Sequence, residues 1–268
     1  MRPSRFLHLV AHRGNAGEFP QNTLPAVQSA LDLGARFVAV DVQSSANGVP
    51  MVVREHDLSR CAGIAGVVGN FTAAELAQID VSEPEKFGER FRGTCIPRLV
   101  DVLSLISQRR ETTLFAYLGR ASLARLGQEQ MVSQIAEALR PFRSRCIVVS
   151  TDLAVVYRAR HSSGLQVGWQ ITTDNTHTRL QYEALRPEFL LIDRAALPPK
   201  SALWRGPWRW VIHDVTTIEV ALELAERGAD FAATENVRAL GEAMRSHAAT
   251  LAESRKHDDT MATTVKGL

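Results

Sequence analysis

The chain has 268 residues, of which 45% are hydrophobic, and this is enough for one barrel-sized domain or two small domains. Its formal net charge of +2 argues against a strongly charged surface for nucleic acid or for an acidic membrane. No apolar run approaches the roughly 20 residues of a membrane-spanning helix, and no signal peptide is predicted. The spacing of Cys61, Cys95 and Cys146 fits no zinc motif and indicates reduced thiols in the cytoplasm.

The start of the chain predicts a buried strand followed by a helix. The apolar run Phe6–Ala11 is typical of a strand, and it ends in His12 and Arg13. Thr23 is expected to cap the helix, with Pro25 in the first turn, where a missing N–H is tolerated. The first strand therefore carries two basic side chains to its carboxyl end.

A second strand is predicted over Phe37–Gln43, with opposite faces for alternate residues. If the face of Val38 meets the helices of a barrel, Ala39 and Asp41 point inward. The turn signal Asn47-Gly48 then leads into a third predicted strand, Val49–Val53.

Residues 61–94 show glycines, scattered charges and one short helical signal, and we interpret them as an insertion over one end of the domain. Strands and helices then alternate, which favours parallel pairing and right-handed crossovers. The later predicted strands are Thr113–Leu118, Cys146–Ser150, Gln166–Ile171, Phe189–Asp193, Arg209–His213 and Asp230–Thr234. The later predicted helices are Leu99–Ile106, Glu129–Leu139, Leu153–Arg160, Ile218–Arg227 and Val237–Ser246.

These patterns predict a (β/α)8 TIM barrel over residues 1–247 and a polar, flexible tail over residues 248–268. The nine strand-like segments exceed the eight of a barrel, so one of them is expected to be peripheral or misassigned. Active sites of such barrels lie at the carboxyl ends of the strands. There, His12, Arg13, Arg54 and the helix after Asn22 are candidates to bind a phosphate or carboxylate.

Several short motifs resemble those of the glycerophosphodiester phosphodiesterase family. The resemblance covers residues 6 to 245 and rests on Val10–Gly14, Pro20–Thr23, Gly34-Ala35, the strand with Asp41, Gly48–Pro50, His56-Asp57, Ile96–Leu99 and Gly228–Glu235. Members of that family are (β/α)8 barrels with a small insertion that cleave glycerophosphodiesters. In them a Glu-x-Asp pair and a later Glu hold a divalent metal, two histidines act as acid and base, and an arginine and a lysine hold the phosphate.

The resemblance implies roles for five positions. His12 matches the first catalytic histidine, Arg13 the phosphate-binding arginine, and Asp41 the metal-binding aspartate. The second catalytic histidine matches either His56, as the His-Asp pair suggests, or Arg54, as a gapless comparison suggests. In the first case Arg54 is left to bind substrate.

The sequence also departs from the family pattern. Ala39 and Tyr117 stand where the family has metal-binding glutamates, Gly119 where it has the lysine, and Gln21 where it has a further glutamate. The divalent metal implied by the resemblance, Mg²⁺ or Ca²⁺, therefore keeps one carboxylate in place, with Gln43 as a candidate to add an amide oxygen. We expect the Tyr117 ring to fill the space beside Ala39.

We expect the Tyr117 hydroxyl to bond to Asp41. Three further strand-end residues, Asp193, His213 and Glu235, are either lining residues of the site or packing residues.

Three functions are compatible with this pattern. The first is hydrolysis of a glycerophosphodiester or a related small diester, weakened by the missing carboxylates. The second is a non-catalytic barrel that binds a phosphorylated ligand or a partner protein. The third is metal-independent chemistry of His12 with Arg13 and Arg54 on a phosphodiester. The expected partner is a small phosphorylated molecule, with no nucleic acid and no membrane span, and the sequence leaves the oligomeric state open.

Overall fold

The computed structural model describes residues 7–199 and 201–265, without the side chains of residue 60 and residues 252–265. Eight parallel strands close into a barrel, in the order β1-β9-β8-β7-β6-β5-β4-β2, and β2 pairs with β1. The strands are β1 (His8–His12), β2 (Phe37–Ser44), β3 (Pro50–Val52), β4 (Thr113–Leu118), β5 (Cys146–Ser150), β6 (Gln166–Gln170), β7 (Phe189–Asp193), β8 (Arg209–His213) and β9 (Phe231–Thr234). The predicted (β/α)8 barrel is confirmed.

The helices are α1 (Leu24–Asp32), α2 (Leu58–Ala62), α3 (Ala73–Leu76), α4 (Pro84–Phe87), α5 (Leu99–Ser107), α6 (Arg120–Leu139), α7 (Leu153–Ser163), α8 (Thr176–Leu185), α9 (Ile218–Arg227) and α10 (Val237–Val265). Apolar residues of α1 and of α5 to α10 cover the outer faces of the barrel strands, whereas α2 and α3 contribute to a separate small core. Within the described residues, no helix is both long enough and apolar enough to cross a membrane.

Strand β2 shows how alternation sorts side chains between two cores. Val38, Val40 and Val42 belong to the large core between barrel and helices, whereas Ala39 belongs to the core inside the barrel. Because side chains alternate along a strand, Asp41 has the inward phase of Ala39. The predicted faces of this strand are therefore confirmed.

The turn after β1 brings the two basic residues back toward α1. Gly14 has a φ of 77°, and a Cβ there would lie 2.5 Å from the backbone of Ala26, so only glycine fits this approach. Thr23 caps α1 as expected, since its side chain accepts a hydrogen bond from the Ala26 N–H. The start of α1 is thereby fixed against the end of β1.

Four elements differ from the sequence expectation. Strand β3 pairs antiparallel with β2 at the edge of the sheet, so it is the additional, peripheral strand. Helix α6 begins at Arg120 and has a break at Gly127. Helix α8 was missing from the prediction. The helix predicted over Val237–Ser246 continues to Val265.

The domain division stays a prediction. Residues 61–94 contain parts of α2 and all of α3 and α4, and they share a small apolar core with Met51 and Val53 of the β3 segment. The expected flexibility of the segment from residue 248 also stays a prediction, although the chain is helical there as far as Val265. Phe6, the first residue of the first predicted strand, lies outside the described residues.

Candidate active site

A cavity of about 540 Å³ opens at the carboxyl ends of the barrel strands. His12, at the end of β1, and Asp41, within β2, both line this cavity. The expectation that they share one cleft is therefore confirmed. The other charged or histidine side chains on its wall are Arg13, Arg54, His56, Arg120, Asp193, His213, Asp214 and Glu235. The position agrees with the usual place of active sites on this architecture.

His12 is the most enclosed of the predicted catalytic residues. It is 7% exposed, and its ring centroid lies 4.9 Å from that of His213 and 6.1 Å from that of Tyr117. Burial lowers the pKa of His12 well below its usual value, and the charges of His213, Arg13 and Arg54 lower it further. His12 is therefore neutral at pH 7, and a neutral imidazole can accept a proton.

The guanidinium of Arg13 is surrounded by acceptors. Its Nε donates to Asp41 Oδ2 at 3.0 Å, and its Nη1 donates to Gln21 Oε1 at 3.0 Å and to Glu235 Oε1 at 2.9 Å. The side chain is only 12% exposed, so these bonds form in a region of reduced screening. We call these four residues the Arg13 cluster. Most donors of the predicted phosphate-binding arginine are thus directed to protein atoms.

Asp41, the predicted metal ligand, is also engaged by a neighbouring turn. Asn22 Nδ2 donates to Asp41 Oδ2 at 2.9 Å, and the Asp41 backbone N–H donates to Asn22 Oδ1 at 2.9 Å. Asn22 adopts a φ of 57°, a left-handed conformation that asparagine tolerates better than most residues. The same carboxylate oxygen therefore accepts from both Asn22 and Arg13.

The expectation that the Tyr117 hydroxyl bonds to Asp41 is wrong. The ring is buried in the inner core with Ala39, as expected, but its hydroxyl lies 2.9 Å from His213 Nε2. His213 Nδ1 lies 3.7 Å from Asp193 Oδ1, so Tyr117, His213 and Asp193 form a polar chain across the cavity. Asp41 has its own donors in Arg13 and Asn22, which leaves the tyrosine hydroxyl to the histidine.

Burial controls the protonation of Tyr117 and His213. It raises the pKa of Tyr117 well above the usual value, and the charge of Asp41 raises it further. Burial also lowers the pKa of His213, although Asp193 and Asp214 oppose this effect. A protonated tyrosine therefore faces a neutral histidine, and this fits a hydrogen bond donated by the hydroxyl to Nε2.

The side chains present do not fit a hard divalent cation, which relies on several carboxylate or carbonyl oxygens. Ala39 is fully buried in the inner core, and the Tyr117 hydroxyl is committed to His213. Across the described part of the chain, no group of three or more His, Cys, Asp or Glu side chains is arranged to hold a metal ion.

Gln43, expected as a possible additional ligand, is directed elsewhere. Its Oε1 accepts from Ser122 Oγ at 2.7 Å, and its Nε2 donates to the Arg54 carbonyl at 3.1 Å. A Cβ at residue 119 would lie 2.2 Å from the Gln43 amide, so Gln43 fills the space that a side chain after β4 would need. The observed orientation of Gln43 therefore requires a glycine at residue 119.

Both candidates for the second histidine position reach the cavity. His56 and Arg54 are both lining residues, and Arg54 is 51% exposed, with its Nε 3.8 Å from Glu55 Oε1. Their relative roles stay open. Three further lining residues were not predicted from the sequence, although each lies at the end of a barrel strand or just beyond it: Arg120, Gln170 and Asp214. That position was the available signal.

Comparisons with known proteins show which family and which fold this chain resembles. The sequence model of the glycerophosphoryl diester phosphodiesterase family matches residues 12–195, more than half of the chain. A glycerophosphodiester phosphodiesterase of Caldanaerobacter subterraneus is 36% identical over 101 residues, which are 38% of this chain and 41% of the relative. The chain spans about half the length of the curated relatives that it matches.

Two solved structures share the fold over nearly the whole chain. A putative glycerophosphoryl diester phosphodiesterase from Silicibacter pomeroyi superposes with a TM-score of 0.77 at 20% identity, covering 92% of this chain and 95% of the other. A phosphodiesterase from Oleispira antarctica, in complex with the product sn-glycerol-3-phosphate, superposes with a TM-score of 0.76 at 22% identity, covering 90% and 97%. At these identities the superpositions show the fold alone.

Proposed function

The chain belongs to the glycerophosphoryl diester phosphodiesterase family, and from this membership and the cavity we propose that it hydrolyses a small glycerophosphodiester. The supporting observation is the position of His12: a buried, neutral imidazole lies on a cavity that three arginines also line. The relative from Oleispira antarctica was solved with sn-glycerol-3-phosphate, and we expect the same product here.

The reaction needs one proton acceptor and one proton donor on opposite sides of the phosphorus. As a water oxygen forms the new P–O bond, its proton moves to a ring nitrogen of His12. The P–O bond to the leaving alcohol breaks, and the alcohol oxygen takes a proton from His56, which acts as the general acid. The products are a phosphate monoester and a free alcohol, and general acid–base catalysis of this kind contributes about 10²–10⁴-fold.

Cationic side chains on the cavity wall support binding of the phosphate. Arg54 and Arg120 both line the cavity, and guanidinium groups match the geometry of phosphate oxygens. Arg13 has one terminal nitrogen, Nη2, that makes no hydrogen bond within the described part of the chain. We therefore expect the phosphate to contact Arg54 and Arg120, and to accept a further hydrogen bond from Nη2 of Arg13.

We expect the activity to be slow in Mg²⁺ or Ca²⁺. The family generally depends on a divalent metal, whereas this chain has Ala39 and Tyr117 at two of the carboxylate positions implied by the resemblance. Developing charge on the phosphoryl oxygens then depends on arginine side chains, which are weaker electrophiles than a bound dication.

Release of sn-glycerol-3-phosphate from glycerophosphodiesters with different head groups tests the proposal. We expect slow release by the wild type and at least about 100-fold slower release by His12→Asn, from the size of acid–base effects. His161→Asn, an exposed histidine on α7, is the matched control and should behave as wild type. Equal release by His12→Asn, or no release from any diester, would contradict the proposal.

A further inference from the structure

The Arg13 cluster is held in place by the structure around it. Asn22 fixes Asp41 from one side, and the Gln21 backbone N–H donates to Glu83 Oε1 at 2.9 Å, which ties the cluster to the inserted segment. Arg13 itself has a φ of 61°, a left-handed conformation that persists where surrounding contacts determine it. The guanidinium is therefore positioned by its backbone as well as by its acceptors.

The charges of its side chains distinguish the Arg13 cluster from a metal centre. Asp41 and Glu235 together carry two negative charges, and the Arg13 guanidinium, within 3.0 Å of both carboxylates, offsets one of them. A dication bound to the same oxygens would have to displace the guanidinium, because like charges at such distances repel strongly in a partly buried site. The displaced Arg13 would also lose its three hydrogen bonds.

We propose that Arg13 takes the place of a divalent cation in this chain: it is the fixed counterion of Asp41 and Glu235, and the cavity binds phosphate without a divalent metal. The first half rests on the contacts of the Arg13 cluster, and the second half rests on the proposed function. In the hydrolysis step Arg13 neither gains nor loses a proton, so the proton transfers through His12 and His56 are unchanged. Asp41 is then a positioning residue for Arg13.

Calorimetric titration of the full chain with Ca²⁺ tests the first half. We expect wild-type binding too weak to detect and detectable binding by Arg13→Gln, with an affinity at least about tenfold above the detection limit, since Asp41 and Glu235 then face one site. Adding Asp41→Asn to Arg13→Gln should abolish that binding. Arg54→Gln is the matched control: it removes a cavity arginine outside the cluster and should leave Ca²⁺ unbound.

Two results of this titration overturn the inference. One is Ca²⁺ binding by the wild type that Asp41→Asn removes. The other is an Arg13→Gln protein that unfolds cooperatively, and is therefore folded, yet still fails to bind Ca²⁺. The wild-type titration is decisive even if Arg13→Gln does not fold.

Titration with sn-glycerol-3-phosphate tests the second half. Its affinity for the wild type should be equal in EDTA and in Mg²⁺, and a requirement for Mg²⁺ overturns the inference. The outcomes remain separable from the proposed function. Diester hydrolysis with Ca²⁺ bound at Asp41 would contradict this inference but not the proposed hydrolysis. Metal-independent phosphate binding without hydrolysis would contradict the proposed hydrolysis but not this inference.

Discussion

Removing the Tyr117 hydroxyl tests the polar chain inside the barrel. In Tyr117→Phe the ring stays in the inner core, but His213 Nε2 loses a partner at 2.9 Å. A buried acceptor left without its hydrogen bond costs about 1–3 kcal/mol. Because both side chains line the cavity, a water molecule can reach the vacated position, and the cost should fall toward the lower end of that range.

Thermal unfolding of the wild type, the two single variants Tyr117→Phe and His213→Leu, and the double variant measures this contribution. A loss of 1 kcal/mol lowers Tm by about 2–4 °C for a chain of roughly this size. Replacing both partners, as in Tyr117→Phe with His213→Leu, removes the unpaired acceptor, so the two substitutions should be coupled by about 0.5–3 kcal/mol. Tyr157→Phe is the matched control: Tyr157 is 58% exposed, and the substitution keeps its ring beside His161. It should stay within about 0.5 kcal/mol of wild type.

A second cycle separates the two possible partners of the hydroxyl. If Tyr117→Phe couples to Asp41→Asn and not to His213→Leu, the hydroxyl bonds to Asp41, and the orientation described above is refuted. If neither pair couples, the hydroxyl contributes nothing to stability and the argument from burial fails.

Three further outcomes are expected. Ala39→Glu with Tyr117→Glu should strengthen Ca²⁺ binding by a factor on the order of a thousand in calorimetric titration, from two charge-assisted ligands of roughly 1.5–3 kcal/mol each; unchanged affinity in a folded protein would contradict this. The pKa of His12 is lowered in the folded state, so its contribution to stability is complete above the usual value of 6.5 and is lost as the pH falls below 6.5. As the pH falls below 6.5, the free energy of unfolding of His12→Asn should therefore decrease less steeply than that of the wild type. An identical slope for the two proteins would show that His12 titrates normally. Thr23→Ala should cost about 1 kcal/mol in denaturant unfolding because it removes the cap of α1, and a loss below the error of the measurement would show that the cap is dispensable.

Local patterns were enough to predict the fold and the inward direction of Asp41. The strand β2 is a case in point, because alternation has a period of two residues and needs no knowledge of distant contacts. The antiparallel pairing of β3 was not predicted, since its apolar residues resemble those of a barrel strand. Helix α8 was missed because its sequence, rich in threonine and polar residues at its start, has a weak helical signal.

The partners of the site residues could not be predicted from local sequence. Tyr117 and His213 are 96 positions apart, and Arg13 and Glu235 are 222 positions apart. Their pairing depends on the closure of the barrel, which brings the ends of β4 and β8, and of β1 and β9, to the same cavity. The resemblance assigned Arg13 to phosphate and Asp41 to metal, whereas in the folded chain the two side chains bind each other.

The rate of sn-glycerol-3-phosphate release from a glycerophosphodiester, compared in EDTA and in Mg²⁺, tests most directly the claim that this barrel cleaves phosphodiesters with Arg13 in place of a metal. The account predicts slow release at the same rate in both conditions. Release at ordinary enzymatic rates that depends strictly on Mg²⁺ would contradict it.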